Sequence, residues 1–68
     1  MKISDALAIA AEKAGWSPAR IAVTVDKSEA SARQWLKGNA EMGASDYQTL
    51  RRELPGFADL VDGKAAIA

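Results

Sequence analysis

The chain has 68 residues and a formal net charge of zero, with nine basic and nine acidic side chains. It contains neither cysteine nor histidine, so disulfides, thiolate chemistry and the commonest metal ligand and general base are all excluded. Apolar residues make up 49% of the sequence, which suffices for the core of one small domain and argues against disorder. We therefore expect no enzyme, no cofactor, no metal site and no small-molecule ligand.

The apolar residues are distributed along the chain rather than gathered in one run. No stretch approaches the roughly 20 residues of a membrane span. The N-terminus reaches a carboxylate at Asp5 before any apolar run of signal-peptide length. These features predict a cytoplasmic protein without a membrane partner.

Helix start and stop signals divide the first part of the chain. Ser4 is predicted to cap a first helix, which Gly15 ends in the left-handed conformation. Ser17 followed by Pro18 predicts the start of a second helix, because proline is tolerated at the first helical position. That helix has room to run only to about Val25. Apolar positions near a period of 3.6 support the first helix: Ile3, Leu7, Ala10 and Ala14.

The same signals recur after a turn at residues 26–27. Ser28 is predicted to cap a third helix that Gly38 ends. Ser45 and Gln48 form a capping-box pattern, which predicts the start of a fourth helix. Pro55 is predicted to stop that fourth helix.

Three apolar residues indicate a last short helix, namely Phe57, Leu60 and Val61. Gly63 is predicted to end this helix. The tail at residues 64–68 is expected to be frayed. Five short helices with short connections cannot form a long bundle, so we predict an all-α fold, a compact five-helix cluster forming one domain over residues 1–68.

The second and third predicted helices carry a family pattern. Residues 17–39 read SPARIAVTVDKSEASARQWLKGN, which resembles the helix-turn-helix of the phage Cro/repressor, or XRE-like, family. Ala22 stands where that family keeps a small residue in the first helix of the motif. Ala32 stands at the inward apolar position of the family's recognition helix. Trp35 and Gly38 resemble the family's tryptophan and closing glycine. The resemblance extends over roughly residues 3–63 and implies a Cro/repressor-like fold.

Two positions depart from the family pattern. Asp26 stands at the turn where glycine is usual, which costs about 1 kcal/mol if the residue is left-handed. Lys27 stands where the family usually buries valine or isoleucine. Its aliphatic stem is expected to cover that apolar spot while its ammonium reaches solvent.

The resemblance implies that a recognition helix at residues 28–37 enters the major groove of duplex DNA. Arg33 is suited to guanine and Gln34 to adenine, while Glu29 can accept from the cytosine amino group. The base-contacting residues are expected to be Glu29, Ala30, Arg33 and Gln34.

Phosphate contacts implied by the same resemblance come from the helix starts and from basic side chains. The expected residues are Ser17, Arg20, Lys27, Ser28, Ser31, Lys37 and Asn39. Residues 17–39 have a net charge of +2, which favours this hypothesis. The zero net charge of the whole chain counts against it, since nucleic-acid-binding domains usually carry a basic excess.

Family members commonly bind two-fold operators as dimers. The resemblance therefore implies a homodimer on double-stranded DNA, with an interface formed by Phe57, Leu60, Val61 and Ile67. The resulting expectation is a sequence-specific transcriptional regulator of phage or prophage origin, acting in the cytoplasm of a bacterial cell.

A second interpretation stays open, namely a small phage protein that uses the same scaffold to bind and inhibit a host protein. The zero net charge, Glu29 on the groove-facing side and four aromatic residues motivate it. Under that interpretation Arg33 and Gln34 form only a solvated helix face. Trp16 is expected either to pack on the second helix as a hydrophobic staple or to bind a partner. Arg51 and Arg52 are interpreted as surface residues rather than as a second phosphate patch.

Overall fold

A computed structural model describes residues 1–63 of the chain. All regular elements in this range are helices: α1 (Ile3–Ala14), α2 (Pro18–Val25), α3 (Glu29–Lys37), α4 (Ala44–Glu53) and α5 (Phe57–Val61). The all-helical prediction is confirmed. No helix in the described range has the length and apolar character needed to cross a membrane. The predictions for the tail and for Ile67 lie outside the described residues.

The start of α1 differs from the prediction. The helix begins at Ile3 with Lys2 as its cap residue, and no side chain caps it. Ser4 therefore lies within the first turn and cannot act as the cap. The predicted end is confirmed, since Gly15 has φ +73°. The N–H of Trp16 donates to the carbonyl of Ala11 at 2.8 Å, which closes the helix end as a left-handed glycine allows.

Serine caps begin the next two helices as predicted. The Ser17 hydroxyl oxygen accepts from the N–H of Arg20 at 3.2 Å, and Pro18 occupies the first helical position of α2. The Ser28 hydroxyl oxygen accepts from the N–H of Ser31 at 3.1 Å at the start of α3. Each bond satisfies one backbone donor that the helix itself leaves without a partner.

The connection between α2 and α3 depends on a left-handed aspartate. Asp26 has φ +58° and is the only non-glycine residue with positive φ within residues 1–63. The N–H of Lys27 donates back to the carbonyl of Ala22 at 2.9 Å. This geometry ends α2 at Val25 and allows α3 to begin at Glu29, after only three intervening residues.

The predicted capping box of α4 is wrong. The helix begins at Ala44 with Gly43 as its cap residue and without a side-chain cap. Ser45 consequently lies inside the helix, where its hydroxyl cannot take the cap position. Asp46 occupies the third helical position, where a carboxylate favours the N-terminal end of the helix dipole. The helix ends at Glu53, just before Leu54 and Pro55, as the proline predicts.

The core draws on all five helices. The largest fully buried side chains are Phe57, Leu7, Ile21, Leu50 and Leu54. The helix α1 packs against α3 and α5, α2 packs against α3 and α4, and α4 packs against α5. The α2–α3 pair is thus held by α1 on one side and by α4 on another, and the outward face of α3 is left exposed.

The burial of Phe57 corrects one predicted interface residue. Its side chain has no solvent exposure and contacts the ring of Tyr47 edge-on, with ring centres 5.8 Å apart. A side chain enclosed in the core has no surface to offer a second subunit. Leu60 and Val61 are half-buried beside the core and retain some exposed area.

The cap assignments predict that removing a serine hydroxyl destabilises the fold only where that serine caps a helix. Ser17→Ala and Ser28→Ala are each expected to lower the free energy of unfolding by about 1 kcal/mol, because each removes an acceptor for a helix N–H. Ser45→Ala is the control, and its change is expected to stay within about 0.5 kcal/mol. Denaturant unfolding followed by circular dichroism measures all three. An equal loss in the Ser45 variant would contradict the assignments.

The left-handed turn predicts that Asp26→Gly stabilises the fold by about 1 kcal/mol, because glycine adopts positive φ without the steric cost of a side chain. The substitution also removes a negative charge from the C-terminal end of α2, where it is unfavourable. Asp26→Asn removes only the charge, so the stability of this variant should lie between that of the parent and that of Asp26→Gly. Urea unfolding measures the order, and a glycine variant less stable than the parent would refute the explanation.

Candidate functional site

The outward face of α3 carries the four predicted base-contacting residues. Glu29, Ala30, Arg33 and Gln34 are all exposed, while Ala32 is fully buried and Trp35 is 6% exposed. The helix is therefore fixed by its inner side chains and exposes these four residues, three of them polar, to solvent. The structure brings together on one face the four residues that the sequence analysis grouped.

An ion pair lies on this face. The guanidinium of Arg33 contacts the carboxylate of Glu29 one turn earlier on α3. Their side chains remain 59% and 43% exposed, respectively, so both keep hydrogen-bonding groups directed to solvent. The two charges cancel, and the centre of the face is electrically neutral as a unit.

The two serines at the start of α3 bond to each other. The Ser28 hydroxyl donates to the Ser31 hydroxyl oxygen at 3.0 Å while it also accepts from the Ser31 N–H. The hydroxyl proton of Ser28 is thus already used within the cap. Of this pair, Ser31 keeps a hydroxyl proton for an external acceptor such as phosphate.

Arg20 is held in place at the start of α2. Its guanidinium carbon lies 4.5 Å from the centre of the Trp16 ring, which is the geometry of a cation–π contact. Trp16 also packs partly against the core. Packing was one of the two roles expected for Trp16, and the stacking on Arg20 was not predicted. The four-residue spacing between the two was the available signal.

Lys27 has a partner on another helix. Its ammonium lies 3.5 Å from a carboxylate oxygen of Asp46. The lysine side chain is 50% exposed, whereas that of Asp46 is only 9% exposed. A predicted phosphate contact is thus also the link between the α2–α3 turn and the start of α4. The sequence analysis missed this pair because 19 positions separate the residues.

The end of α3 carries the remaining predicted phosphate contacts. Lys37 and Asn39 are exposed on either side of the left-handed Gly38. Within the described part of the chain, Lys37 makes no ion pair and no ring contact. Among the four basic residues of 17–39, it is therefore the one that can meet a new anion without leaving a partner.

The two arginines of α4 have different environments. Arg51 donates two hydrogen bonds to Asp62 at 3.0 and 3.1 Å and one to the Tyr47 hydroxyl at 3.2 Å. The hydrogen bonds to Asp62 and Tyr47 raise the pKa of Arg51 above its usual value. Arg52 is exposed and lies 3.3 Å from Glu53. Arg51 thus links α4 to the residue that follows α5 and is unsuited to a phosphate patch.

A groove of about 580 Å³ lies between the start of α1 and the connection from α3 to α4. Its lining includes Trp35 and Tyr47 from the helices, Met42 from the connection, and the oppositely charged Lys2 and Glu41. The groove adjoins the end of α3 but lies apart from the four residues of its outward face.

Comparisons with known proteins give no match of any kind: no family model, no curated protein and no solved structure corresponds to this chain.

Proposed function

We propose that the chain is a Cro/repressor-like helix-turn-helix protein that binds duplex DNA in a sequence-specific manner and regulates transcription. The observation that carries the proposal is the outward face of α3. There Arg33 and Gln34, two side chains able to form bidentate bonds with purines, are exposed on a helix whose opposite side is fixed in the core.

The packing of α2 on α3 supports a helix-turn-helix. Ala22 is 3% exposed and Ala32 is fully buried, so small side chains stand at the two positions where the family pattern requires them. The left-handed Asp26 supplies the turn between the helices. In this arrangement the first turns of α3 reach base edges while α2 lies across the phosphate backbone.

The proposed phosphate contacts stand at both ends of the α2–α3 pair. Ser17 and Arg20 begin α2, and Lys37 and Asn39 follow the recognition residues. Arg20 and Lys37 are the two cations that can contact phosphate without breaking an ion pair. Two such contacts contribute about −1.8 per subunit to the slope of log K against log salt, which is about −3.6 for a dimer.

The regulator is proposed to act as a homodimer on a two-fold operator, with half-sites about 34–36 Å apart. One 68-residue chain with five short helices offers little contact area by itself. Leu60 and Val61 are the half-buried apolar residues proposed for the dimer surface. A phage or prophage origin and action in the bacterial cytoplasm belong to the same proposal.

Three substitutions separate base reading from phosphate binding. Arg33→Ala and Gln34→Ala should change which duplex is preferred, each at a cost of about 1–3 kcal/mol on the preferred site. Lys37→Ala should weaken binding to every sequence alike and reduce the magnitude of the salt slope by about 1 per bound subunit. Fluorescence anisotropy against a selected duplex and a random pool, at several salt concentrations, measures these effects.

Lys13→Ala is the matched control for Lys37→Ala, because Lys13 is an exposed lysine in the last turn of α1 and outside the proposed interface. Its affinity and salt slope should equal those of the parent. A folded protein without salt-sensitive duplex binding near 50 mM salt would contradict the proposal, because phosphate contacts are strongest at low salt.

The alternative is a protein-binding module that inhibits a host protein, and one exposed residue favours it. Val23 on α2 is 81% exposed, the highest among the exposed large apolar residues of the described chain. A single exposed apolar side chain is common on protein surfaces, and under this alternative Val23 is the point on α2 where a protein partner makes an apolar contact. Under this alternative, a partner captured from nuclease-treated bacterial lysate is retained by Arg33→Ala and lost in Val23→Ser. The regulator proposal predicts the absence of such a partner.

A further inference from the structure

The contact between Glu29 and Arg33 suggests how the proposed site recognises a base. We propose that these two residues act as one donor–acceptor unit that reads a G·C pair in the major groove, with Glu29 as the residue that positions Arg33 and excludes other contacts. The inference rests on the proposed DNA-binding function and identifies the base pair that the site takes.

The two side chains retain the necessary hydrogen-bonding groups. Each terminal nitrogen of a guanidinium carries two N–H donors, so the nitrogen of Arg33 that contacts Glu29 keeps a second donor. The other terminal nitrogen carries two further N–H donors. The carboxylate of Glu29 has a second oxygen and is 43% exposed. The pair thus presents donors beside an acceptor.

A G·C pair presents the complementary pattern in the major groove. Guanine offers two acceptors, N7 and O6, and cytosine offers an amino donor beside them. Arg33 can donate to the guanine while Glu29 accepts from the cytosine. On an A·T pair, the adenine amino group would face the guanidinium and thymine O4 would face the carboxylate. The guanidinium would then face a donor and the carboxylate an acceptor, so neither side chain could form its hydrogen bond there.

Glu29 also disfavours contacts with phosphate. Its negative charge repels the backbone, and its ion pair competes with phosphate for Arg33. A base pair that satisfies both side chains lets the unit bind without separating its charges. A duplex that lacks such a base pair at this position cannot satisfy both side chains at once. The face therefore gains discrimination by giving up part of its electrostatic affinity.

A purely structural role for Glu29 predicts something different. Glu29 lies in the first turn of α3, where a carboxylate stabilises a helix, and its pair with Arg33 has the four-residue spacing of a helix-surface ion pair. If that were its whole role, Glu29→Gln would change the stability of the fold and leave the preference between base pairs intact.

The experiment compares the parent protein, Glu29→Gln and Glu12→Gln. Glu12 is an exposed acid on α1, outside the α2–α3 pair, so its variant makes the same charge change away from the face. Anisotropy titrations use the preferred duplex selected from a random pool, the same duplex with each G·C pair changed in turn to A·T, and the random pool itself. Denaturant unfolding shows that every variant is folded under the assay conditions.

The parent should prefer one G·C pair over A·T by about 10- to 100-fold. In Glu29→Gln that ratio should fall about tenfold, because the amide also carries N–H donors and no longer holds Arg33 by charge. Binding of the random pool should tighten several-fold, because a negative charge leaves the interface. Glu12→Gln should keep the parent ratio.

Parent-like discrimination in Glu29→Gln, or an equal change in Glu12→Gln, would overturn this inference and leave the DNA-binding proposal standing. A preference for A·T at the position that responds to Arg33→Ala would overturn it as well. If the folded parent binds no duplex, the proposed function and this inference both fail.

Discussion

The close approach of α2 and α3 is the constraint on which the rest of the arrangement depends. The two helices pack against each other, and the small residues Ala22 on α2 and Ala32 on α3 are both almost fully buried. Because protein interiors are packed at the density of crystals, a larger residue at either position would force the helices apart. The position of the outward face of α3 follows from this contact, from the left-handed Asp26, and from Trp35, which fixes α3 in the core.

The charges of residues 17–39 are mostly engaged within the protein. Lys27 pairs with Asp46, Arg33 pairs with Glu29, and the guanidinium of Arg20 stacks on an indole ring. This explains in structural terms how a chain of zero net charge can carry a proposed DNA surface. The proposed surface has few cations, and most of them are held in place by contacts within the protein. The expected binding therefore depends more on matched hydrogen bonds than on the general attraction of phosphate.

The C-terminal part of the described chain completes the core and holds the bundle together. Phe57 is fully buried, and Arg51 connects α4 to Asp62 with two parallel hydrogen bonds. A chain of this size buries only about 60% of the surface that its unfolded form exposes, less than larger domains do, so each buried aromatic contributes heavily to its stability. That demand explains why a residue that looks available for a dimer in the sequence is enclosed in the monomer.

The ends of the central helices follow from local sequence signals. Ser17 with Pro18, Ser28, and the left-handed positions at Gly15 and Gly38 act through bonds to residues at most four or five positions away. Such contacts form wherever the local chain permits them, so pattern alone locates them. The exposed face of α3 follows equally from the helical period.

The pairing of distant side chains, in contrast, depends on how the helices assemble. The pair of Lys27 with Asp46 spans 19 positions, and that of Arg51 with Asp62 spans 11. The start of α4 at Ala44 brings Asp46 to the α2–α3 turn, which overrides the local signal of Ser45. The enclosure of Phe57 likewise depends on how α5 packs against α1 and α4. Because such contacts exist only once the helices have assembled, no local pattern in the sequence records them.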